Sequence, residues 1–411
     1  MKKLMVVALG LISNREITIA MGVLESMKPI SEILFVTHKN MSSQVTANGY
    51  AVMAIEGTSG ECAERFKSVF ARFAPDMIIC ADAYTMDFST AWSGIDFKFL
   101  KSLGVPVGSF DAYEWSSTGF LQDFAGVSMK MKSELITESD FCIRPCPVNK
   151  PESPGGKVAA CSLFGVSHLI TERDRDLKEK NSWRASRGIL KKSKLVFIVN
   201  STWEYLDVGR SLETLRLMKW LPQMIAAYLG HMKENITVFH IGGKEWSFPV
   251  GASIDYRHFA SLPQAEYNKA LACSDLFCGT NLISVTMSRA ILCGVPTALF
   301  QNDKNVDFSR LEEALVRMPT WYQEMAHEVN KAMPFKVFPW GWHRFLQPVM
   351  ENNPYSETFA KLPLFEAKKC VDALGELLFD ERAIAGLKRK QEAYAKKLAA
   401  LPPASKILEL I

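Results

Sequence analysis

The sequence predicts an α/β protein of two Rossmann-like, doubly wound parallel sheets facing a cleft, closed by helices at the carboxyl end. Short apolar runs recur, each followed by a polar loop and a stretch with apolar residues at helical spacing, as parallel strands and crossover helices require. The alternation stops in a proline-rich and then charge-dense region, and afterwards restarts. A chain of 411 residues that is 48% hydrophobic also exceeds one comfortable core, so two domains are the default.

In the first half the apolar runs are 4–9, 32–36, 77–80 and 105–110, and segments 62–73 and 97–103 between them carry the helical spacing. Pro145, Pro147, Pro151 and Pro154 then fall close together, Gly155-Gly156 follows, and charges crowd 172–194, where a linker is expected. Strands at 195–199, 236–241, 254–259, 276–278 and 296–300 follow, with helices at 212–229 and 264–273. The expected organisation is an amino-terminal domain over 1–190 with its linker near 172–194, a second domain over 191–350, and closing helices over 351–411. Pro402-Pro403 breaks the last of these before a short amphipathic segment.

Composition narrows the function. Lys and Arg number 48 against 44 Asp and Glu, a net charge of +4 without a basic tail, too even a balance for a protein that neutralises many phosphates, so nucleic acid is not an expected partner. The 25 Phe, 9 Trp and 10 Tyr are spread along the chain and exclude disorder as the dominant state. Nine irregularly spaced cysteines read as reduced, mostly buried thiols in a cytoplasmic protein. Lys2-Lys3 before the apolar run imitates a signal peptide, but Ser13-Asn14-Arg15-Glu16 ends the run with polar residues and no small-residue cleavage site follows. A buried first strand is the expectation. No other apolar run approaches the ~20 residues of a membrane span.

Ligands of paired α/β sheets bind at the carboxyl ends of the strands, which singles out the loops there. In the second half these are Asn200-Ser201-Thr202, Gly242-Gly243-Lys244, 259–263 beginning with Phe259, 279–286, and 301–305. Their Gly, Ser, Thr and Asn leave backbone N–H groups open to a phosphate, and a helix starting near Thr286 adds its positive end. Simple helix capping is the alternative use of the same residues.

The run Ser274-Asp275-Leu276-Phe277-Cys278-Gly279, then Ser284-Val285-Thr286-Met287-Ser288-Arg289-Ala290-Ile291-Leu292-Cys293-Gly294-Val295-Pro296, resembles the donor-site segment of GT-B fold nucleotide-sugar glycosyltransferases. Leu262-Pro263-Gln264-Ala265-Glu266 is similar to the family's preceding loop. In the first half, Ala74-Pro75-Asp76-Met77-Ile78-Ile79-Cys80-Ala81-Asp82 and Leu103-Gly104-Val105-Pro106-Val107 resemble its acceptor domain, and 184–199 its interdomain linker and next strand. The likeness touches most of the chain and is one of architecture, as of a divergent branch. It implies that Ser201, Thr202, Ser284, Thr286 and Arg289 meet a nucleotide diphosphate, with Gly242, Gly243 and Phe259 lining the same site and Asn302 and Asp303 reading the sugar.

The departures are specific. Where relatives hold the donor ribose with an acidic residue stands Arg289, which cannot accept hydroxyl hydrogens although it can clamp a phosphate. Relatives often carry a His after the first strand as catalytic base; this chain offers Glu16 as the nearest substitute, with Asp82 and Asp111 as competitors and Asp111 able to couple with Glu114. Each of these carboxylates could equally cap a helix. His240 is read either as reaching a phosphate or as a core histidine. Cys142, Cys146, Cys161 and His168 make a weak zinc pattern. The cluster Phe338-Pro339-Trp340-Gly341-Trp342-His343 could stack on a sugar or pack a joint, and the basic run 388–397 is a solvated helix face more readily than a membrane contact.

The resemblance thus implies a metal-independent glycosyltransferase without a tightly bound cofactor, using a nucleotide-diphosphate sugar such as a UDP or TDP derivative. Its acceptor would be a small molecule or a lipid-linked compound, in a bacterial setting. A nucleotide-sugar 2-epimerase and a non-catalytic sugar-nucleotide-binding or partner protein are the alternatives.

Overall fold

The computed structural model describes residues 1–11, 15–118, 121–124, 127–130, 133–162, 177–200, 212–232, 234–248, 253–301, 316, 318–331 and 342–409. Among the described residues thirteen strands form two parallel sheets. The first runs in the order β3-β2-β1-β4-β5-β8-β9 and comprises β1 (Lys2–Ala8), β2 (Ser31–His38), β3 (Ala51–Ile55), β4 (Met77–Cys80), β5 (Val107–Phe110), β8 (Phe141–Cys146) and β9 (Val158–Ser162). The second runs β12-β11-β10-β13-β14-β15 and comprises β10 (Lys194–Val199), β11 (Ile236–Ile241), β12 (Ile254–Phe259), β13 (Leu276–Gly279), β14 (Thr297–Phe300) and β15 (Ala360–Leu362). A separate antiparallel hairpin joins β6 (Leu121–Phe124) to β7 (Val127–Lys130).

Each sheet has the strand order of a doubly wound nucleotide-binding unit, with the first strand of the unit next to the fourth. The central strands are buried on both faces because helices cover both: β4, β5, β11, β13 and β14 have no exposed position. The uninterrupted apolar runs reflect this double cover.

The proline-rich stretch lies within the first sheet. It connects β8 to its parallel neighbour β9, so the change of texture at Pro145 marks a turn of the sheet. The charge-dense region beyond it contains helix Leu177–Ser186, which is fastened to the second sheet: Arg184 pairs with Asp275 at 2.6 Å and donates to the Cys273 carbonyl.

The carboxyl-terminal helices tie the two halves together. In helix Glu381–Ala399, Gln391 donates to the carbonyls of Val295 and Thr358, both at 3.0 Å, while the Tyr394 hydroxyl reaches the Pro147 carbonyl of the first half. Ala404, Ile407 and Leu408 of the last helix enter the core beneath β1 and β2, and Lys2 Nζ caps the Leu408 carbonyl at 2.6 Å. No described helix is long and apolar enough to cross a membrane. All nine cysteines are free and buried, small apolar fillers as their spacing suggests.

Candidate active site

In the first sheet β1 lies beside β4, and in the second β10 lies beside β13, so each sheet winds in opposite senses from that pair and leaves a crevice at its carboxyl end. Helix Arg15–Leu24 follows β1, and helix Val285–Leu292 follows β13. The two meet. Arg15 Nε donates to the Ile283 carbonyl at 3.2 Å, and Val285 packs against the core of the first half. The carboxyl edges of both sheets thus open on one shared space.

On the first side Glu16 and Asp82 are both buried. Glu16 folds back so that Oε1 accepts the Gly10 N–H at 2.7 Å, closing the turn after β1. Gly10 is required for this, because a Cβ there would stand 2.2 Å from that oxygen. Burial, reinforced by the negative charge of Asp82, pushes the Glu16 carboxyl up to about 8. Asp82 leads into helix Ala83–Ser93 and caps it through the Thr85 N–H at 3.0 Å, while its other oxygen faces Arg15 Nη1 at 3.5 Å. Burial raises the Asp82 pKa, and the Arg15 charge partly offsets that. The capping use and the ionic use of Asp82 therefore coexist.

Asp111 is arranged differently. One oxygen accepts the Trp115 N–H at 2.7 Å, the other accepts the Ser116 hydroxyl at 2.6 Å and faces Arg144 Nη2 at 3.3 Å. Arg144 also lies 3.7 Å from Glu114, so a buried guanidinium contacts both carboxylates. Donors surround the Asp111 carboxylate, which suits support of the loop better than proton transfer.

On the second side Ser284 caps helix Val285–Leu292 by accepting the Met287 N–H at 3.3 Å, and the turn before it is held by Asn281. Thr286 shares a hydroxyl hydrogen bond with Tyr267, and Arg289 donates to Asn268 Oδ1; both partners come from helix Gln264–Ala272. Gly242 approaches the Asn200 backbone so closely that a Cβ would lie 3.0 Å from its carbonyl oxygen, and Gly243 is exposed beside it. Phe259 ends β12 with its ring 5.0 Å from that of Phe239. Gln301, at the end of β14, is buried with its Oε1 lacking a hydrogen-bond partner. Ser201, Thr202, Asn302, Asp303, His168 and residues 338–341 lie outside the described residues.

His240 is a core residue. It is fully buried, with Nδ1 2.7 Å from the Tyr256 hydroxyl and Nε2 3.2 Å from Asn200 Oδ1. Burial, with His258 nearby, lowers its pKa to about 3, so the ring is neutral. The thiols of Cys142, Cys146 and Cys161 point to nearby carbonyls, and the described residues contain no group of three metal-ligating side chains.

A family model described as a family of unknown function (DUF6365) matches residues 27–411. The chain belongs to that family. No curated protein matches the DUF6365 chain by sequence. Solved structures do match its fold. Anabaena Alr3699/HepE in complex with UDP-glucose is 10% identical, with a TM-score of 0.56, and covers 100% of this chain and 99% of its own. Spinosyn rhamnosyltransferase SpnG complexed with thymidine diphosphate is 11% identical, with a TM-score of 0.54 and full cover of both chains. UDP-GlcNAc 2-epimerase from Neisseria meningitidis bound to UDP-GlcNAc is 12% identical, with a TM-score of 0.50, covering 97% of this chain and 99% of its own. The DUF6365 chain has the GT-B fold, a divergent branch of it.

Sequence patterns did not reveal Arg15 as the side chain that spans the cleft, nor the rings around it. Tyr84, Tyr113 and Trp115 surround the guanidinium end of the first crevice, with Arg15 5.3 Å above the Tyr113 ring. Only the recurrence of aromatics after two strand ends, at 84 and 113–115, hinted at them.

Proposed function

We propose that the protein is a glycosyltransferase that moves a sugar from a nucleotide-diphosphate donor to a small-molecule or lipid-linked acceptor. The observation that carries this reading is the Arg15–Ile283 contact, which sets the buried carboxylates of one sheet opposite the helix amino terminus of the other. In this reading 1–190 is the acceptor domain, 191–350 the donor domain, and 351–411 closes the cleft.

The half-buried start of helix Val285–Leu292, Thr286 and Arg289 supply positive charge and hydrogen bonds to the diphosphate, the part a metal ion plays elsewhere. Ser201, Thr202 and the Gly242-Gly243 turn add backbone donors, with Phe259 beside them. The unpartnered Gln301 Oε1 takes a sugar hydroxyl, next to Asn302 and Asp303. In the transfer the acceptor oxygen bonds to the anomeric carbon as the bond to the diphosphate oxygen breaks. The electron pair leaves with the diphosphate, and the acceptor proton passes to the ionised Glu16 carboxylate, with Asp82 holding Arg15 in place.

An epimerase acting on the same donor would call for a histidine in the cleft. Among the described histidines beside the second sheet's carboxyl edge, His240 is buried among Asn200, Tyr256 and Trp246, and His258 is bonded to the Gly242 carbonyl, which favours the transferase.

A thermal-shift panel of UDP, TDP, GDP, ADP and CDP tests the donor site, because a ligand at a hundredfold excess over its Kd adds about 2.7 kcal/mol to native stability. One diphosphate is expected to raise Tm, with the gain lost in Thr286→Ala and reduced in Arg289→Ala. A flat response to all five overturns the proposal.

A further inference from the structure

In helix Glu381–Ala399, Ala383, Gly386, Leu387, Lys390 and Ala393 recur at helical spacing and so share one side. With Leu377 of helix Ala367–Phe379 and with Phe359 and Ala360 at the edge strand β15, that side lines a cavity of about 650 Å³ that opens to solvent. Its floor is apolar: Phe359 and Leu377 are buried and Leu387 is half-buried. A Cβ at Gly386 would meet nothing nearer than the Arg389 guanidinium at 4.0 Å, so the helix backbone is open to approach there. The rim is charged and sorted by sign. Glu376 stands on helix Ala367–Phe379 and Glu357 on the turn Pro354–Glu357, whereas Arg389 and Lys390 stand on helix Glu381–Ala399, and all four are exposed. Among the described residues none of the four is in an ion pair, although nearby Lys368 and Lys369 pair with Asp372 and Glu366.

We propose that this groove docks a second copy of the same chain about a two-fold axis. An axis through the groove sets the acidic wall of each copy against the basic wall of the other, so a patch of mixed sign is its own complement. A partner carrying charge of one sign would be repelled by one of the walls. A small-molecule site gathers polar groups toward its ligand, whereas here they stand on the rim of an apolar floor, which is the arrangement of a protein interface. Gly386, with Ala383 and Ala393 on the same side, lets the two copies of the helix come close. The inference is independent of the transferase reading.

The test is sedimentation equilibrium of the full chain across micromolar concentrations. Glu357→Lys with Glu376→Lys makes both walls basic, and Arg389→Glu with Lys390→Glu makes both acidic. All four sites are exposed, so both double variants are expected to fold, which far-UV circular dichroism checks. Wild type is expected to dimerise, and each double variant alone to associate roughly tenfold or more weakly, because like charges then face each other. An equal mixture of the two should return a dimer, since every contact joins opposite signs. Adding Gly386→Phe, which fills the groove, should abolish the mixed dimer, whereas attraction between bulk charges alone would survive it. A monomeric wild type overturns the proposal and leaves the groove to a small ligand or an unlike protein. So does a dimer that neither double variant weakens, a mixture that stays monomeric, or a mixed dimer indifferent to Gly386→Phe.

Discussion

Arg15 Nε donates to the Ile283 carbonyl across 268 residues of chain, while Nη1 of the same guanidinium lies 3.5 Å from Asp82 Oδ2. One side chain therefore faces a buried carboxylate of the first sheet and binds the turn that precedes helix Val285–Leu292 of the second. Replacing it removes both effects together. Arg15→Ala leaves Asp82 buried without its cation, a loss expected to cost about 3 kcal/mol in urea unfolding. The pair is largely shielded from water, so the loss should change little with added salt. A change below about 0.5 kcal/mol would show that neither contact contributes.

Gly10 and Glu16 form one unit, because the Glu16 carboxyl occupies the volume a Cβ at position 10 would need. Gly10→Ala is expected to expel the carboxyl from its site and return its pKa from about 8 toward the ordinary carboxylate value of 4.5. Carbon-detected NMR titration of the Glu16 side chain reads this directly. In the transferase reading, kcat/KM rises with pH through about 8 in wild type, as the base ionises, and Gly10→Ala loses that rise.

The same elevated pKa has a sign for stability. Between pH 4.5 and 8 the native state holds a proton on Glu16 that the unfolded chain has released, so this residue makes the protein less stable as pH rises through that window. Glu16→Gln removes the dependence. Its stability relative to wild type is expected to grow by roughly 4 kcal/mol from pH 4.5 to pH 8. Parallel curves for the two proteins would mean that Glu16 is ionised in the fold.

Arg144 sits in β8 with 3% of its side chain exposed, contacting Asp111 and Glu114. Arg144→Met leaves two buried carboxylates without a cation and is expected to destabilise the first half by about 3–5 kcal/mol. Asp111→Asn, which keeps an acceptor for the Trp115 N–H, should cost less. Equal losses would place the energy in the hydrogen bonds of Asp111 rather than in its charge.

The two sheets were legible because their central strands are buried on both faces and read as unbroken apolar runs. Strands 77–80 and 236–241 lie where the pattern puts them, and so does the edge strand 254–259 despite its mixed sequence. β8 was hidden by its own chemistry: Arg144 and Pro145 interrupt the apolar signal, although the strand is wholly buried, because the guanidinium is answered by carboxylates far away in sequence. β3 and β15 lie at or near sheet edges, with half-exposed positions and little apolar contrast. The places of Glu16, Asp82 and the Ser284 to Arg289 helix after strands could be read from the sequence. The partnership of Arg15 with Ile283, and of Thr286 with Tyr267, depends on how two domains meet and leaves no local trace.

His240 supplies a slope opposite to that of Glu16. Its pKa falls from 6.5 to about 3 in the fold, so below pH 6.5 the unfolded chain binds a proton that the native state refuses, and stability is lost as pH falls. At pH 5 that loss is about 2 kcal/mol. Because Glu16 stabilises the native state over part of the same range, the wild-type curve alone conceals both terms. The difference between wild type and His240→Gln isolates one of them, since Glu16 is common to both proteins. The gap between them should close in favour of the variant by about 2 kcal/mol from pH 7 to pH 5. A constant gap would mean that the imidazole takes up its proton in the native state, and that its pocket between Asn200 and Tyr256 opens to water.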